Sequence, residues 1–188
     1  MEQSDPKHLL IQVAKILERL NIPYFITGGI AVVVWGRPRF TADIDIVVEL
    51  KKENIDSLER ALKEISKVGY IDRQMIDAAL ETKGEFNFID GESGMRVDFW
   101  VAKDDEFSRE RFKRRILKNI GGQDIYFISP EDLILIKLLW NKDSGSSRQL
   151  EDIESIFKIS RENLDMQYLD QWAKKLGVSE TFTKLLEK

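Results

Sequence analysis

Two aspartates, Asp43 and Asp45, lie two residues apart in the segment ADIDIVVEL (residues 42–50), whose other members are mostly apolar and β-branched. This alternation predicts a β-strand. A strand's period of two places both carboxylates on one face and turns Ile44 and Ile46 toward the core. Adjacent like charges repel, so a sheet tolerates them poorly unless a cation lies between them. The alternative is an edge strand whose acids are simply solvated.

A third aspartate, Asp98, has a similar setting, because it lies among large apolar residues in the predicted strand 95–102. Three strand aspartates that converged would form a site of oxygen ligands with high negative charge, which suits Mg²⁺ or Mn²⁺. A solvated acid is an equally simple interpretation of Asp98 taken alone.

Composition narrows the chemistry that such a site can use. The 188 residues include 29 Lys and Arg against 33 Asp and Glu, so the net charge is −4 and a globally basic nucleic-acid binder is excluded. The absence of cysteine excludes disulfides, thiolate metal sites and thiol catalysis. The single histidine, His8, argues against Ser-His-Asp catalysis and multi-histidine metal sites. Carboxylates, Lys, Arg, hydroxyl groups or backbone amides must therefore carry the chemistry.

The sequence predicts a cytoplasmic protein that does not enter a membrane. Its first residues are acidic and polar, unlike a signal peptide. The strongest apolar run, Ile30–Trp35, is far shorter than the ~20 residues that span a bilayer.

The order of predicted elements changes near residue 128. Before it, predicted helices alternate with strands and two Gly-containing hairpins, after a helix that starts at Ser4-Asp5-Pro6. After it, Ser129-Pro130-Glu131-Asp132 begins a run of helices, with a polar loop expected over residues 143–147. We therefore predict an α+β protein with an α/β domain over residues 1–128 and a helical subdomain over 129–188, packed together.

Gly28 and Gly29 end a predicted strand and precede the apolar run, which the Gly-Gly turn favours as a buried helix. Glycines at this position let the backbone approach a ligand and direct amides of a helix N-terminus at an anion such as phosphate. The alternative is an ordinary tight turn.

The combination of strand, Gly28-Gly29, short helix and Asp43-Ile44-Asp45, followed by a third strand aspartate, resembles the nucleotidyltransferase (polymerase β-like) superfamily. The residues of these motifs are most similar to those of AbiEii-type and related bacterial nucleotidyltransferase-like proteins. The later Ser-Pro-Glu-Asp-Leu…Lys137…Asp152-Ile153 pattern also resembles them. The resemblance covers about residues 22–158 and departs in two places. Gly29 stands where many active members have Ser, and Gln149 stands where an acid is frequent.

The resemblance implies a nucleotidyltransferase fold, a short mixed sheet flanked by helices, and a set of roles. Asp43, Asp45 and Asp98 would be catalytic and would hold Mg²⁺ (or Mn²⁺). The nucleotide-binding residues would be Gly28, Gly29, Arg39, Lys137 and Asp152. An NTP would donate its NMP to a hydroxyl acceptor, either tRNA or protein, in a toxin-like or regulatory role with a possible antitoxin partner.

Other functions remain open at this point. The same chemistry could act on a small molecule such as an aminoglycoside or lincosamide antibiotic, or the fold could bind nucleotides without turnover. A plain Mg²⁺-dependent phosphohydrolase is a further alternative. The basic segment 109–118 could contact RNA phosphates, although charge runs are usually just solvated surfaces.

Overall fold

The computed structural model describes residues 6–187, so the cap predicted at Ser4 and Asp5 lies outside the described residues. The chain divides into two units. The first consists of the described residues up to Ile30 together with Phe40–Phe127, and the second of Ala31–Arg39 with the described residues from Ile128 onward.

The first unit is built on a mixed sheet of seven strands in the order β3-β4-β5-β2-β1-β7-β6. Its strands are β1 (Tyr24–Ile26), β2 (Asp43–Val48), β3 (Tyr70–Ile71), β4 (Glu85–Ile89), β5 (Arg96–Val101), β6 (Ile116–Ile120) and β7 (Gln123–Phe127). β2 pairs with β5, and β1 with β7, in parallel, whereas the remaining neighbours are antiparallel. This is the mixed sheet that the resemblance implied.

The two faces of the sheet differ because apolar and polar residues alternate along its central strands. Ile44 and Ile46 of β2 are fully buried, as are their β5 partners Val97 and Phe99. The ring of Phe99 stacks on that of Phe86, with centroids 4.9 Å apart. Burial of these side chains leaves the intervening residues, the aspartates among them, on the opposite face.

Four helices belong to the first unit: α1 (Pro6–Arg19), α3 (Ile55–Ile65), α4 (Arg73–Thr82) and α5 (Glu106–Arg114). A 3-10 turn, Lys52–Asn54, precedes α3. α1 and α3 contact each other through apolar faces, with Leu10 and Leu17 buried on α1 and Leu58 and Leu62 buried on α3. α2 (Gly28–Trp35) is the helix predicted after the Gly-Gly turn, but it is only partly buried, since Ala31 and Val32 are enclosed whereas Val33 is 37% exposed.

The second unit contains α6 (Pro130–Ser144), α7 (Ser147–Ser160), α8 (Met166–Lys175), α9 (Ser179–Leu186) and a 3-10 turn, Arg161–Asn163. The predicted polar loop over residues 143–147 is too long, because α6 continues through Ser144 and ends only where Gly145 adopts φ +68°. None of the helices within residues 6–187 has the length and apolar content needed to cross a membrane.

The Ser129-Pro130-Glu131-Asp132 motif joins two helices of this unit as well as starting one. The Ser129 side chain accepts a hydrogen bond from the Asp132 amide, which caps α6. Both acids are nevertheless buried. Asp132 accepts a hydrogen bond from the Tyr168 hydroxyl at 2.6 Å, and Glu131 accepts one from the Asp165 amide at 3.0 Å. The motif therefore fastens α8 to the start of α6.

Candidate active site

The sheet brings the three predicted aspartates together on one face. Asp98 of β5 lies directly opposite Asp45 of β2, and Asp43 lies one pleat away on the same face as Asp45. β2 is flanked by β5 and β1, and β5 by β4 and β2, so neither strand is an edge. An edge strand with solvated acids, the alternative left open by the sequence, is therefore excluded for both strands.

A cation that the sequence argument did not single out, Arg96, lies between two of these carboxylates. Arg96 is the direct partner of Asp43 across the parallel pair and is two residues before Asp98 on the same strand. Its Nε is 3.0 Å from Asp98 Oδ1, and its Nη2 is 3.3 Å from Asp43 Oδ2. The period of two that places Asp43 beside Asp45 also places Arg96 beside Asp98, so the strand pattern contained the signal.

The electrostatics of the cluster are most evident at Asp98, whose side chain is only 14% exposed. Burial raises the pKa of Asp98, the Arg96 guanidinium lowers it, and the Asp45 and Asp43 carboxylates raise it again, to about 6. Desolvation and like charge thus outweigh the single cation. A carboxylate with a pKa near neutrality is suited to exchange a proton with a reacting group.

Gly28 lets the start of α2 lie against Asp45. Its φ is +60°, in the left-handed region that favours glycine, and a Cβ built at this position would lie 1.9 Å from Asp45 Oδ2. The preceding Thr27 amide donates a hydrogen bond to the Asp45 carbonyl at 2.9 Å. Gly28 and Gly29 begin α2, so amides of a helix N-terminus are placed beside the carboxylates, where they favour an anion.

The donor chemistry of this face fits a divalent cation that prefers oxygen ligands. In their positions in this structure, however, no three Asp, Glu or His side chains within residues 6–187 lie close enough together to hold a metal ion. The guanidinium of Arg96 contacts both Asp43 and Asp98 and stands in for a cation between them. The residues present therefore fit such a metal in ligand type and charge.

In the second unit, Asp152 gathers the other predicted side chains. It accepts two hydrogen bonds from Arg39, at 2.7 and 2.9 Å, and its Oδ2 lies 2.7 Å from Lys137 Nζ. Lys137 also donates to Gln149 at 3.0 Å. The side chains of Lys137 and Asp152 are only 3% and 4% exposed, so this is a buried ionic cluster on α6, α7 and the 31–39 segment.

The charge of Asp152 is maintained by its two partners. Burial raises the pKa of Asp152, but hydrogen bonds from Arg39 and Lys137, together with the charges of both cations, lower that pKa by a larger amount. The net shift of the pKa is therefore downward. Arg39, at 25% exposed, is the member that reaches solvent, where it helps to line an open groove of about 510 Å³. Of the predicted nucleotide-binding side chains in this unit, Arg39 is therefore accessible and Lys137 is enclosed.

The basic segment 109–118 makes many of its contacts within the first unit. Its pairings include Arg109 with Asp104, Lys113 with Glu110, Arg111 with the rings of Phe25 and Phe107, and Arg115 with the rings of Phe112 and Tyr126. The Arg115 guanidinium lies 4.3 Å from the Tyr126 centroid, a cation–π geometry. These pairings give the segment a role in packing and weaken the case for an RNA-binding surface.

Comparison with known proteins gives a family whose model matches most of the chain. The model of a family described as "Nucleotidyl transferase AbiEii toxin, Type IV TA system" matches residues 15–177. No curated protein matches the sequence. The matched segment includes all eight residues for which roles were predicted.

Solved structures share the fold at low sequence identity. The antibiotic-resistance factor ANT(2'')-Ia, in solution, aligns with a TM-score of 0.59 over 97% of this chain and 93% of that chain at 15% identity. Lincosamide antibiotic adenylyltransferase LnuA, lincomycin-bound, aligns at 0.56 over 84% and 99% with 16% identity. An antigenic nucleotidyltransferase-like protein from Paracoccidioides brasiliensis aligns at 0.53 over 96% and 91% with 19% identity. These likenesses show the nucleotidyltransferase fold.

Proposed function

The chain belongs to the AbiEii family of nucleotidyltransferases, and on that premise we propose that it moves an NMP from an NTP to a hydroxyl acceptor at the face formed by Asp43, Asp45 and Asp98. The observation that carries this proposal is the direct pairing of Asp45 with Asp98. It joins the Asp-Ile-Asp motif to the third aspartate on adjacent central strands.

Asp43, Asp45 and Asp98 would hold Mg²⁺ or Mn²⁺, since carboxylate oxygens are the ligands these ions prefer. When bound, such a cation would neutralise charge on the triphosphate and on the departing pyrophosphate. The Gly28 and Gly29 amides, at the start of α2, would donate to phosphate oxygens beside Asp45.

The reaction we propose is an in-line displacement at the α-phosphorus. The acceptor oxygen forms a bond to that phosphorus while the bond to the β-phosphate bridging oxygen breaks, and pyrophosphate leaves. The proton of the acceptor hydroxyl passes to a base. Asp98 is the candidate base, because its carboxylate is largely enclosed and lies directly opposite Asp45 on the face proposed to bind the triphosphate.

For Arg39, Lys137 and Asp152 we propose a part in nucleotide binding, with Asp152 as the positioning residue. The support is that Asp152 holds both cations within 2.7 Å and orients them. Arg39 is the residue we expect to reach a phosphate, since its side chain is the one in contact with solvent.

We propose a macromolecular acceptor, tRNA or protein, and a toxin role restrained by an antitoxin, on the support of family membership. The experiment incubates the protein with each α-³²P-labelled NTP and Mg²⁺, in parallel with total tRNA, with cell protein, with aminoglycoside or lincosamide antibiotics, and with no acceptor. Asp45→Asn is the inactive control, and Asp170→Asn is a matched exposed carboxylate in the second unit.

Label in tRNA or in protein that depends on Asp45 would support the proposal and would name both the nucleotide and the acceptor. Label only in the antibiotic would replace the macromolecular acceptor with a small molecule. Release of pyrophosphate separates transfer from hydrolysis to orthophosphate. Nucleotide binding with neither label nor pyrophosphate would overturn the catalytic proposal in favour of a nucleotide-binding module.

A further inference from the structure

The contacts of Arg96 point to a role beyond packing. Its guanidinium touches Asp98 at 3.0 Å and Asp43 at 3.3 Å, and these are two of the three carboxylates proposed to hold the metal. The side chain is 47% exposed and lies on the polar face of a sheet whose other face is buried. Arg96 is thus held by ion pairs at the position where charge must be neutralised and is not enclosed by apolar neighbours.

The arrangement of charge explains why a cation is needed there. Register places Asp43 beside Arg96 and Asp45 beside Asp98, so four charged residues form two rows on adjacent strands. Three are acids, and the cluster would carry a charge of −3 without the arginine. Carboxylates so close together raise one another's free energy when no cation intervenes.

We propose that Arg96 is an internal counter-ion of the metal-free enzyme, which bridges Asp43 and Asp98 and must be displaced from them when a divalent cation binds. This inference rests on the proposed function, because it takes these carboxylates as the metal ligands. Arg96 then lowers the apparent affinity for metal alone, since binding has to break two ion pairs.

Displacement also gives Arg96 a second use. The freed guanidinium stays on the same strand, two residues from Asp98, and presents several donors to an anion. A triphosphate that arrives with the metal supplies that anion. The metal and the nucleotide are therefore expected to bind with positive coupling. The metal releases Arg96 from the carboxylates, and the triphosphate then pairs with the released guanidinium.

The test measures Mn²⁺ binding to the full chain by the loss of the free-ion EPR signal, with and without an NTP. The variants are Arg96→Met, which keeps the length of the side chain without its charge, and Arg19→Met. The latter removes an equally long cation whose ion pair with Glu64 is exposed and spans 4.0 Å. Both variants have the same net charge, so a difference between them reports the position of the charge.

We expect Arg96→Met to bind Mn²⁺ alone roughly tenfold more tightly than wild type, the scale set by two half-exposed ion pairs. The additional gain on adding NTP should be smaller than in wild type. Arg19→Met should stay within about twofold of wild type, since exposed pairs contribute little. Unchanged or weaker Mn²⁺ binding by Arg96→Met would overturn the inference.

A measurement on the unaltered protein covers the case in which Arg96→Met does not fold. The Nε–H NMR signal of Arg96, assigned with Arg96→Lys, should change on saturation with Mg²⁺ because its contact with Asp98 is lost. A signal that does not respond to saturating Mg²⁺ would contradict displacement.

The same titrations distinguish failure of this inference from failure of the proposed function. Mn²⁺ binding that Asp45→Asn abolishes, combined with equal affinities for wild type and Arg96→Met, overturns only the role of Arg96. Absence of Mn²⁺ binding by wild type, even with an NTP, overturns the proposed metal site and this inference together.

Discussion

Asp45 and Asp98 are direct partners across the parallel pair of β2 and β5, although they come from strands separated by two helices and two other strands. Two carboxylates in register on central strands are costly unless a cation joins them. Arg96 supplies a cation to one member of the pair, Asp98, and joins it to Asp43. The predictions for Asp45 and Asp98 follow from this pairing.

Asp45→Asn should remove nucleotidyl transfer while the fold is kept. We expect a loss of about 100-fold or more, because even residues that only support metal ligands contribute 10–100-fold. Thermal stability should stay equal or rise slightly, since a like charge facing Asp98 is removed. Radiolabel transfer and a melting curve check both parts. Asp170→Asn, an exposed acid paired with Lys174, serves as the control and should leave transfer unchanged.

Gly28→Ala should damage the site more than its backbone strain alone can explain. Gly28 and Gly94 both have positive φ, of +60° and +70°, so alanine at either should cost roughly 1–2 kcal/mol. Only at Gly28 would the new methyl group meet Asp45, because nothing lies within 4 Å of a Cβ at Gly94. Unfolding and transfer assays on both variants separate the effects. Equal transfer by the two variants would contradict the placement of Asp45 against Gly28.

Asp98 should titrate near pH 6 in the metal-free protein. Its pKa is higher in the folded than in the unfolded chain, so folding favours the protonated form. The contribution of Asp98 to the free energy of unfolding should therefore be largest below pH of about 4 and fall as the pH rises through 6. Asp98→Asn should lack this decrease. Carbon-13 NMR of the carboxyl group measures the midpoint, and Arg96→Met should move it upward because the guanidinium lowers it.

Asp152→Asn should destabilise the second unit more than Lys137→Met does. The aspartate neutralises two cations, so its loss leaves both without their carboxylate and should cost about 3–5 kcal/mol. Lys137→Met leaves Asp152 with the paired bonds from Arg39, and we expect about 1–3 kcal/mol. Denaturant unfolding measures both.

The exposed pair of Lys174 and Asp170 has the same 2.7 Å distance and provides the control for burial. Lys174→Met should cost less than about 0.5 kcal/mol. Folding lowers the pKa of Asp152. Its charged form therefore contributes to the free energy of unfolding above the unfolded pKa of about 4, and this contribution is lost as the pH falls through the pKa of the folded protein. A cost of Asp152→Asn that does not shrink in acid would contradict this account.

Local patterns predicted most elements of this fold because their causes lie within a few residues. The alternation in ADIDIVVEL predicts β2, and Ser129-Pro130 predicts the start of α6. β3, of two residues at a sheet edge, was missed, since Tyr70 and Ile71 are too few to show a period. The end of α6 was misplaced because Ser144 is compatible with a helix, and only the left-handed Gly145 ends it.

The roles of the eight predicted site residues were implied by the family resemblance. Arg96 was missed because the strand pattern places it beside Asp98 alone, and its contact with Asp43 depends on the register of β2 and β5. The sequence also could not predict that Arg39 is accessible to solvent and that Lys137 is enclosed. Lys137 lies among apolar residues of α6, but its enclosure by Asp152 and Gln149 depends on how α6 packs with α7.

The sequence by itself determined which face of β2 carries Asp43 and Asp45, since the period of a strand is a property of the backbone. It also determined the family, through motifs that are short and local. Only the tertiary structure decided that Asp98 faces Asp45, that Arg96 lies between carboxylates, and that Asp152 holds two cations. Those relationships depend on strand register and on burial, and burial of the apolar face around Ile44 and Phe99 sets the register over long stretches of chain.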